Sequence, residues 1–151
     1  MTAAGRVRRS LTGVAAFAAM LHTVAPAVEA ATLVVETTGA EGTGGQIFVG
    51  VCMKSFEEAD CPEGQRLPAK AGAIRFAFRD VPPGRYAIAA YHDVNGNGRL
   101  DKQTFGLPAE PYGFSNDVGR RAPPSFERAL VDVADPTTTV RVSLKRISLT
   151  P

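Results

Sequence analysis

Between Asp93 and Asp101 the chain reads DVNGNGRLD, with oxygen-bearing side chains at Asp93, Asn95, Asn97 and Asp101. These are positions one, three, five and nine of a run whose sixth position is Gly98. Alternating oxygens with glycine at the sharp turn open an EF-hand-type calcium loop, because Ca²⁺ gathers about six to eight oxygen ligands within a short span. In such a loop the Arg99 carbonyl takes the backbone-ligand position and Leu100 anchors the turn in the core. The twelfth position, where a bidentate glutamate is expected, is Thr104. The ligand set is therefore either incomplete or closed from downstream by Glu110 or Asp117. An all-oxygen set disfavours zinc and copper. A second reading needs no metal: Asn95-Gly96 and Asn97-Gly98 are type I′ turn dipeptides, and a tight hairpin would account for both.

Two other chemistries draw on the same stretch. His92 and Ser115 lie close enough in sequence for a small secreted hydrolase to be an alternative. No G-x-S-x-G, H-E-x-x-H or phosphate-cradling glycine loop accompanies them. Strand alternation places His92 on the face of Tyr86, Ile88 and Ala90, opposite Asp93, where the plainer reading is a buried, hydrogen-bonded histidine. Tyr112 and Phe114 offer stacking surfaces for a carbohydrate-binding module. With Phe126, they also suit a plug that seats the long loop on the end of the fold.

The elements that must position these residues are short and alternating. Leu33 to Thr37 opens the series. Gln46 to Met53 puts Ile47, Val49, Val51 and Met53 on one face. Gly72 to Arg79 puts Ile74, Phe76 and Phe78 inward and Arg75 and Arg79 outward. After the Val81-Pro82-Pro83-Gly84 turn, Arg85 to Asp93 returns with Tyr86, Ile88 and Ala90 inward. Ala129, Val131 and Val133 mark a further strand. Val140, Val142 and Leu144 mark the last, extended by Ile147 and Leu149. No stretch keeps a 3.6-residue period over a helix length. Six strands, with a seventh near Phe105 to Phe114, predict an all-β fold: an antiparallel β-sandwich, immunoglobulin- or prealbumin-like, with one long inserted loop.

Residues 1–30 read as a signal peptide. Arg6, Arg8 and Arg9 precede a short apolar run from Leu11 to Leu21, and Val28-Glu29-Ala30 offers small residues for cleavage after Ala30. The apolar run falls short of the roughly 20 residues that span a bilayer. Of 17 basic and 15 acidic residues, the leader takes three arginines and one glutamate. The remainder, residues 31–151, is a single domain with balanced charge, which gives nucleic acid no electrostatic footing. A periplasmic or secreted chain meets an oxidising compartment, so Cys52 and Cys61 predict a disulfide that pins the acidic segment from Lys54 to Asp60.

The run VPPGRYAIAAYHD, the asparagine-glycine repeats after it, and GLPAEPYGFSN from Gly106 to Asn116 resemble the bacterial exported family catalogued as domain of unknown function 2141. The resemblance extends over nearly all of the chain after the leader. It implies export and a β-sandwich, and no activity. The PPGxY turn is also similar to turns of prealbumin-like and collagen-adhesin B-type modules. The cysteine pair is a local variation on the family pattern. The expectation is an exported, non-enzymatic β-sandwich module with a calcium-ordered loop. Its role would be binding an unknown protein or glycan, or accessory to the cell envelope.

Overall fold

The computed structural model describes residues 29–147. The expected leader lies outside them except for its last two residues, as does Leu149. Eight strands are formed among the described residues: Ala31–Thr38 (β1), Gln46–Cys52 (β2), Glu63–Pro68 (β3), Ile74–Val81 (β4), Gly84–Asp93 (β5), Tyr112–Phe114 (β6), Leu130–Val133 (β7) and Thr137–Ser143 (β8). One helical turn, Phe126–Ala129 (α1), precedes β7. The strands divide into a sheet ordered β4-β1-β8 and a sheet ordered β3-β2-β5-β6, with β7 also paired to β5. The fold is an all-β sandwich.

Alternation accounts for the interior. Leu33 and Val35 of β1, Ile74, Phe76 and Phe78 of β4, and Val140 and Val142 of β8 face the second sheet. That sheet answers with Ile47, Val49, Val51, Tyr86, Ile88 and Ala90. Phe76, Leu33, Ile47 and Ile88 are fully buried. Each such side chain contributes roughly 1.5–3 kcal/mol of burial free energy, so this shared layer holds the sheets together.

The structure departs from the expected strands at several points. The pairing is antiparallel except between β1 and β8, which run parallel with Val35 opposite Val140. These strands stand near opposite ends of the described chain. No short turn sets their direction, and the rest of the domain serves as the long connection a parallel pair needs. β3 reads EGQRLP and shows no apolar alternation, so its pairing to β2 comes from the neighbouring strand and not from its own pattern. β2 stops at Cys52, which leaves Met53 exposed and out of the core. Ala129 ends the helical turn and does not begin a strand. Ile147 adds no strand residue.

The outward face of the β3-β2-β5-β6 sheet is unusual for a sheet with one solvated side, where polar residues are the norm. Cross-strand partners share a face, so the registers place Arg66, Phe48, Tyr91 and Tyr112 in one outward row. Gly64, Gly50, Ala89 and Phe114 form the next.

Candidate functional site

β5 ends at Asp93, whose side chain is buried against the start of the long loop. Its Oδ1 accepts the Asn97 N–H at 3.0 Å and its Oδ2 the Gly98 N–H at 2.8 Å. Asn95 Oδ1 also accepts from Asn97 N–H (3.0 Å), and Asn97 Oδ1 accepts from Arg99 N–H (3.1 Å). The two asparagine contacts are Asx turns, in which a side-chain oxygen accepts the N–H two residues ahead, and the longer Asp93 contacts draw the turn back onto the strand end. Each oxygen of the DxNxN run thus folds the backbone around itself.

This geometry decides against a plain hairpin. A type I′ turn needs positive φ at both central residues. Gly96 and Gly98 have φ of 72° and 84°. Asn95 and Asn97 do not: the non-glycine residues with positive φ, among those described, are Asp80, Asn116 and Asp117. Nor does the strand resume beyond the asparagines, because the next partner of β5 is β6, which begins at Tyr112.

Asp101 lies across the loop from Asp93. Its Oδ2 accepts the side-chain amides of Asn95 (2.7 Å) and Asn97 (2.8 Å), and its Oδ1 the Arg99 Nε–H (3.2 Å). These N–H donors, Asn97 and Asn95 foremost, hold its carboxyl below the usual aspartate range. A carboxylate that draws three N–H donors to itself is a locus of negative charge that the loop otherwise neutralises with amide dipoles.

Glu110 comes back to the loop; Asp117 does not. A small ladder between Lys102 and Pro108, with the Ala109 N–H donating to the Asp101 carbonyl at 2.7 Å, reverses the chain. The Glu110 side chain is then buried, with Oε1 accepting the Val94 N–H (2.8 Å) and Oε2 the Asp101 N–H (3.0 Å). One carboxylate therefore clamps both ends of the Asp93–Asp101 run. Asp117 is exposed and pairs with Arg120 at 3.1 Å. Leu100, expected in the core, is half-buried on the outward sheet face, because the loop folds over that face and not into the sandwich.

The donor chemistry fits a hard cation. Asp93, Asn95, Asn97, Asp101, Glu110 and the Arg99 carbonyl are all oxygen donors; each carboxylate oxygen of Asp93 and Glu110 keeps a lone pair beyond the N–H it accepts, whereas Asp101 Oδ2 already accepts two. Among the described residues no three His, Cys, Asp or Glu side chains stand grouped as a metal cluster, so asparagine and backbone oxygens would have to contribute.

His92 is wholly buried and serves the fold. Its Nδ1 accepts the Glu41 N–H at 3.1 Å, and its Nε2 donates to the Gly44 carbonyl at 2.7 Å, which defines one neutral tautomer. The imidazole so ties the glycine-rich 39–45 segment to β5. A Cβ at Gly45 would overlap the Asp93 carbonyl, and its φ of 74° suits glycine alone. Ser115 is buried elsewhere on β5, where its hydroxyl accepts the Ile88 N–H (2.9 Å) and donates to the Ala129 carbonyl (2.5 Å). Ile88 and His92 are four residues apart on one strand, about 13 Å at strand rise. The two side chains have separate partners and form no nucleophile–base pair.

Cys52 and Cys61 are joined as a disulfide. It holds the 53–61 flap on the sheet, where Phe56 packs between Phe114 (4.2 Å between centroids) and Phe126 (5.3 Å). Tyr112 meets Phe114 edge-on. The outward face that carries Phe48, Gly50 and Ala89 was not picked out from the sequence. Its signal was present: after Gln46 opens β2, the alternate positions Phe48, Gly50 and Cys52 bring no further polar residue to that side.

The bacterial family described as uncharacterised protein conserved in bacteria, domain of unknown function 2141, matches residues 35–141. No curated protein and no solved structure matches the chain.

Proposed function

Because the chain belongs to that uncharacterised bacterial family, which brings no activity with it, we propose a function from its own geometry: an exported, non-enzymatic β-sandwich module whose long loop is ordered by Ca²⁺ and which binds in the periplasm or outside the cell. The observation that carries the calcium reading is the Asp93–Asp101 loop, wound by Asx turns and clamped by Glu110. Asp93, Asn95, Asn97, Asp101 and the Arg99 carbonyl supply the ligands. Glu110 fixes the two ends and adds a third carboxylate in place of the absent glutamate at the twelfth position. Asn95 Oδ1 and Asn97 Oδ1 each accept one backbone N–H and keep a second lone pair for the cation. Calcium there would act by ordering the loop. The leader-like residues 1–30 and the Cys52–Cys61 disulfide support export. The structural employment of His92 and Ser115 supports a module in preference to a hydrolase.

The test is thermal unfolding in chelator and in millimolar Ca²⁺. Three carboxylates and two asparagines place the affinity in the weak extracellular range, about 10⁻⁴–10⁻³ M. Ligand at ten times Kd stabilises the native state by about 1.4 kcal/mol, which raises Tm by several degrees. Mg²⁺, with its stricter octahedral demand, should do less. Asp93→Ala should remove the calcium-dependent increment, whatever it does to Tm in chelator. A wild-type Tm indifferent to both Ca²⁺ and chelator would sink the reading.

A further inference from the structure

The two outward rows of the β3-β2-β5-β6 sheet enclose a groove of about 360 Å³. Its floor is the small row, Gly50 and Ala89. Phe48 and Tyr91, tilted by 39° with centroids 5.2 Å apart, form one wall. Phe56 and Phe114, tilted by 40° at 4.2 Å, form the other, and the disulfide holds that wall in place through the flap. Side chains at the floor positions would fill the space, since a Cβ on Gly50 already meets the Phe48 ring at 3.3 Å. The rim is cationic. Arg66 lies 5.3 Å over the Phe48 ring and donates to the Gly98 carbonyl at 3.1 Å. Lys102 joins it from the loop. Among the described residues neither has a carboxylate partner, whereas Arg99 is paired with Asp101. Glu58 is the one acid in the lining.

We propose that this groove binds a small aromatic carboxylate, its flat ring set between the two aromatic walls and its anionic group on Arg66 and Lys102. Small-ligand sites have this composition: mostly apolar lining, a few convergent polar groups, and a volume of about 300–1,000 Å³. The guanidinium is already stacked on Phe48, so an anion meets it at little cost in side-chain ordering. A sugar acid fits less well. The floor's backbone groups are engaged in sheet pairing, and the remaining polar groups, chiefly the Tyr91 and Tyr112 hydroxyls and Glu58, cannot satisfy a ring of hydroxyls. Burial raises both tyrosine phenols above their ordinary range, so both remain protonated donors. The groove is built mainly on the sheet and its proposal does not rest on the cation.

The experiment is titration of the full exported protein with 2-naphthoate and with its uncharged isostere 2-naphthamide, followed by amide chemical shifts, once in chelator and once in millimolar Ca²⁺. Naphthoate should perturb Gly50, Ala89 and Tyr91 in at least one of the two conditions, and naphthamide should bind at least tenfold more weakly. Arg66→Gln with Lys102→Gln should bring naphthoate down to the affinity of naphthamide. Ala89→Leu, checked for folding by its melting curve, should abolish both. Should that variant fail to fold, the double charge variant carries the test alone. Equal binding of acid and amide, or perturbation away from these rows, overturns the proposal. So does silence towards naphthoate in both conditions, and a response to oligogalacturonate in its place would assign the groove to an acidic sugar. None of these outcomes bears on the calcium reading, which the melting experiment decides separately.

Discussion

At the scale of single residues, the long loop depends on side chains that stand in for backbone. Asp93 and Glu110 are buried carboxylates whose four oxygens each accept a backbone N–H. His92 does comparable work at the other side of the strand end, holding the Glu41 N–H and the Gly44 carbonyl. Replacing it by leucine keeps the volume but leaves one backbone donor and one acceptor of a part-buried segment without partners. Each such loss costs about 1–3 kcal/mol. His92→Leu should therefore lower unfolding free energy by about 2–4 kcal/mol in urea titration. A loss below about 0.5 kcal/mol would show that the 39–45 segment finds its partners elsewhere.

At the scale of elements, the 53–61 flap is held by one covalent bond and one aromatic triad. Phe56, Phe114 and Phe126 come from the flap, from β6 and from α1, so the flap joins three parts of the chain. The loop closed by the disulfide is short, with a sequence separation of 9. Its chain-entropy contribution is about 2–3 kcal/mol. The double variant Cys52→Ser, Cys61→Ser should lose stability of that order and should expose Phe56, read as faster proteolysis between Lys54 and Asp60. An unchanged melting temperature would mean that the aromatic triad alone seats the flap.

At the scale of the whole molecule, β1 enters the core at once. Ala31 is fully buried and pairs with Val81, so the strand begins at the residue that follows the expected cleavage point. A leader ending at Ala30 would leave the fold intact on removal. Mass spectrometry of the protein recovered from the periplasm or medium should find Ala31 as its first residue and, without reductant, Cys52 linked to Cys61. Recovery of a chain that keeps residues 1–30 in the cytoplasm, with both thiols free, would defeat the export proposal. No helix among the described residues is long and apolar enough to cross a membrane.

What the sequence determined by itself was local. Ile74, Phe76 and Phe78 face inward, and so do Ile88, Ala90 and His92, because strand period and apolar content are written within a few residues. The cysteine pairing was legible too, there being only two cysteines. The tertiary structure decided what depends on residues far apart. Glu110 rather than Asp117 meets the loop because the Lys102–Pro108 ladder turns it back. The asparagines adopt negative φ because their side-chain oxygens are taken by N–H groups ahead of them, where the dipeptides alone also allowed a type I′ turn. β3 is a strand because β2 offers it an edge, and β8 runs parallel to β1 because the whole sandwich must close between them. Local propensity differs among such alternatives by about 1 kcal/mol. Burial of the shared core contributes many times that, and so it chooses the partners.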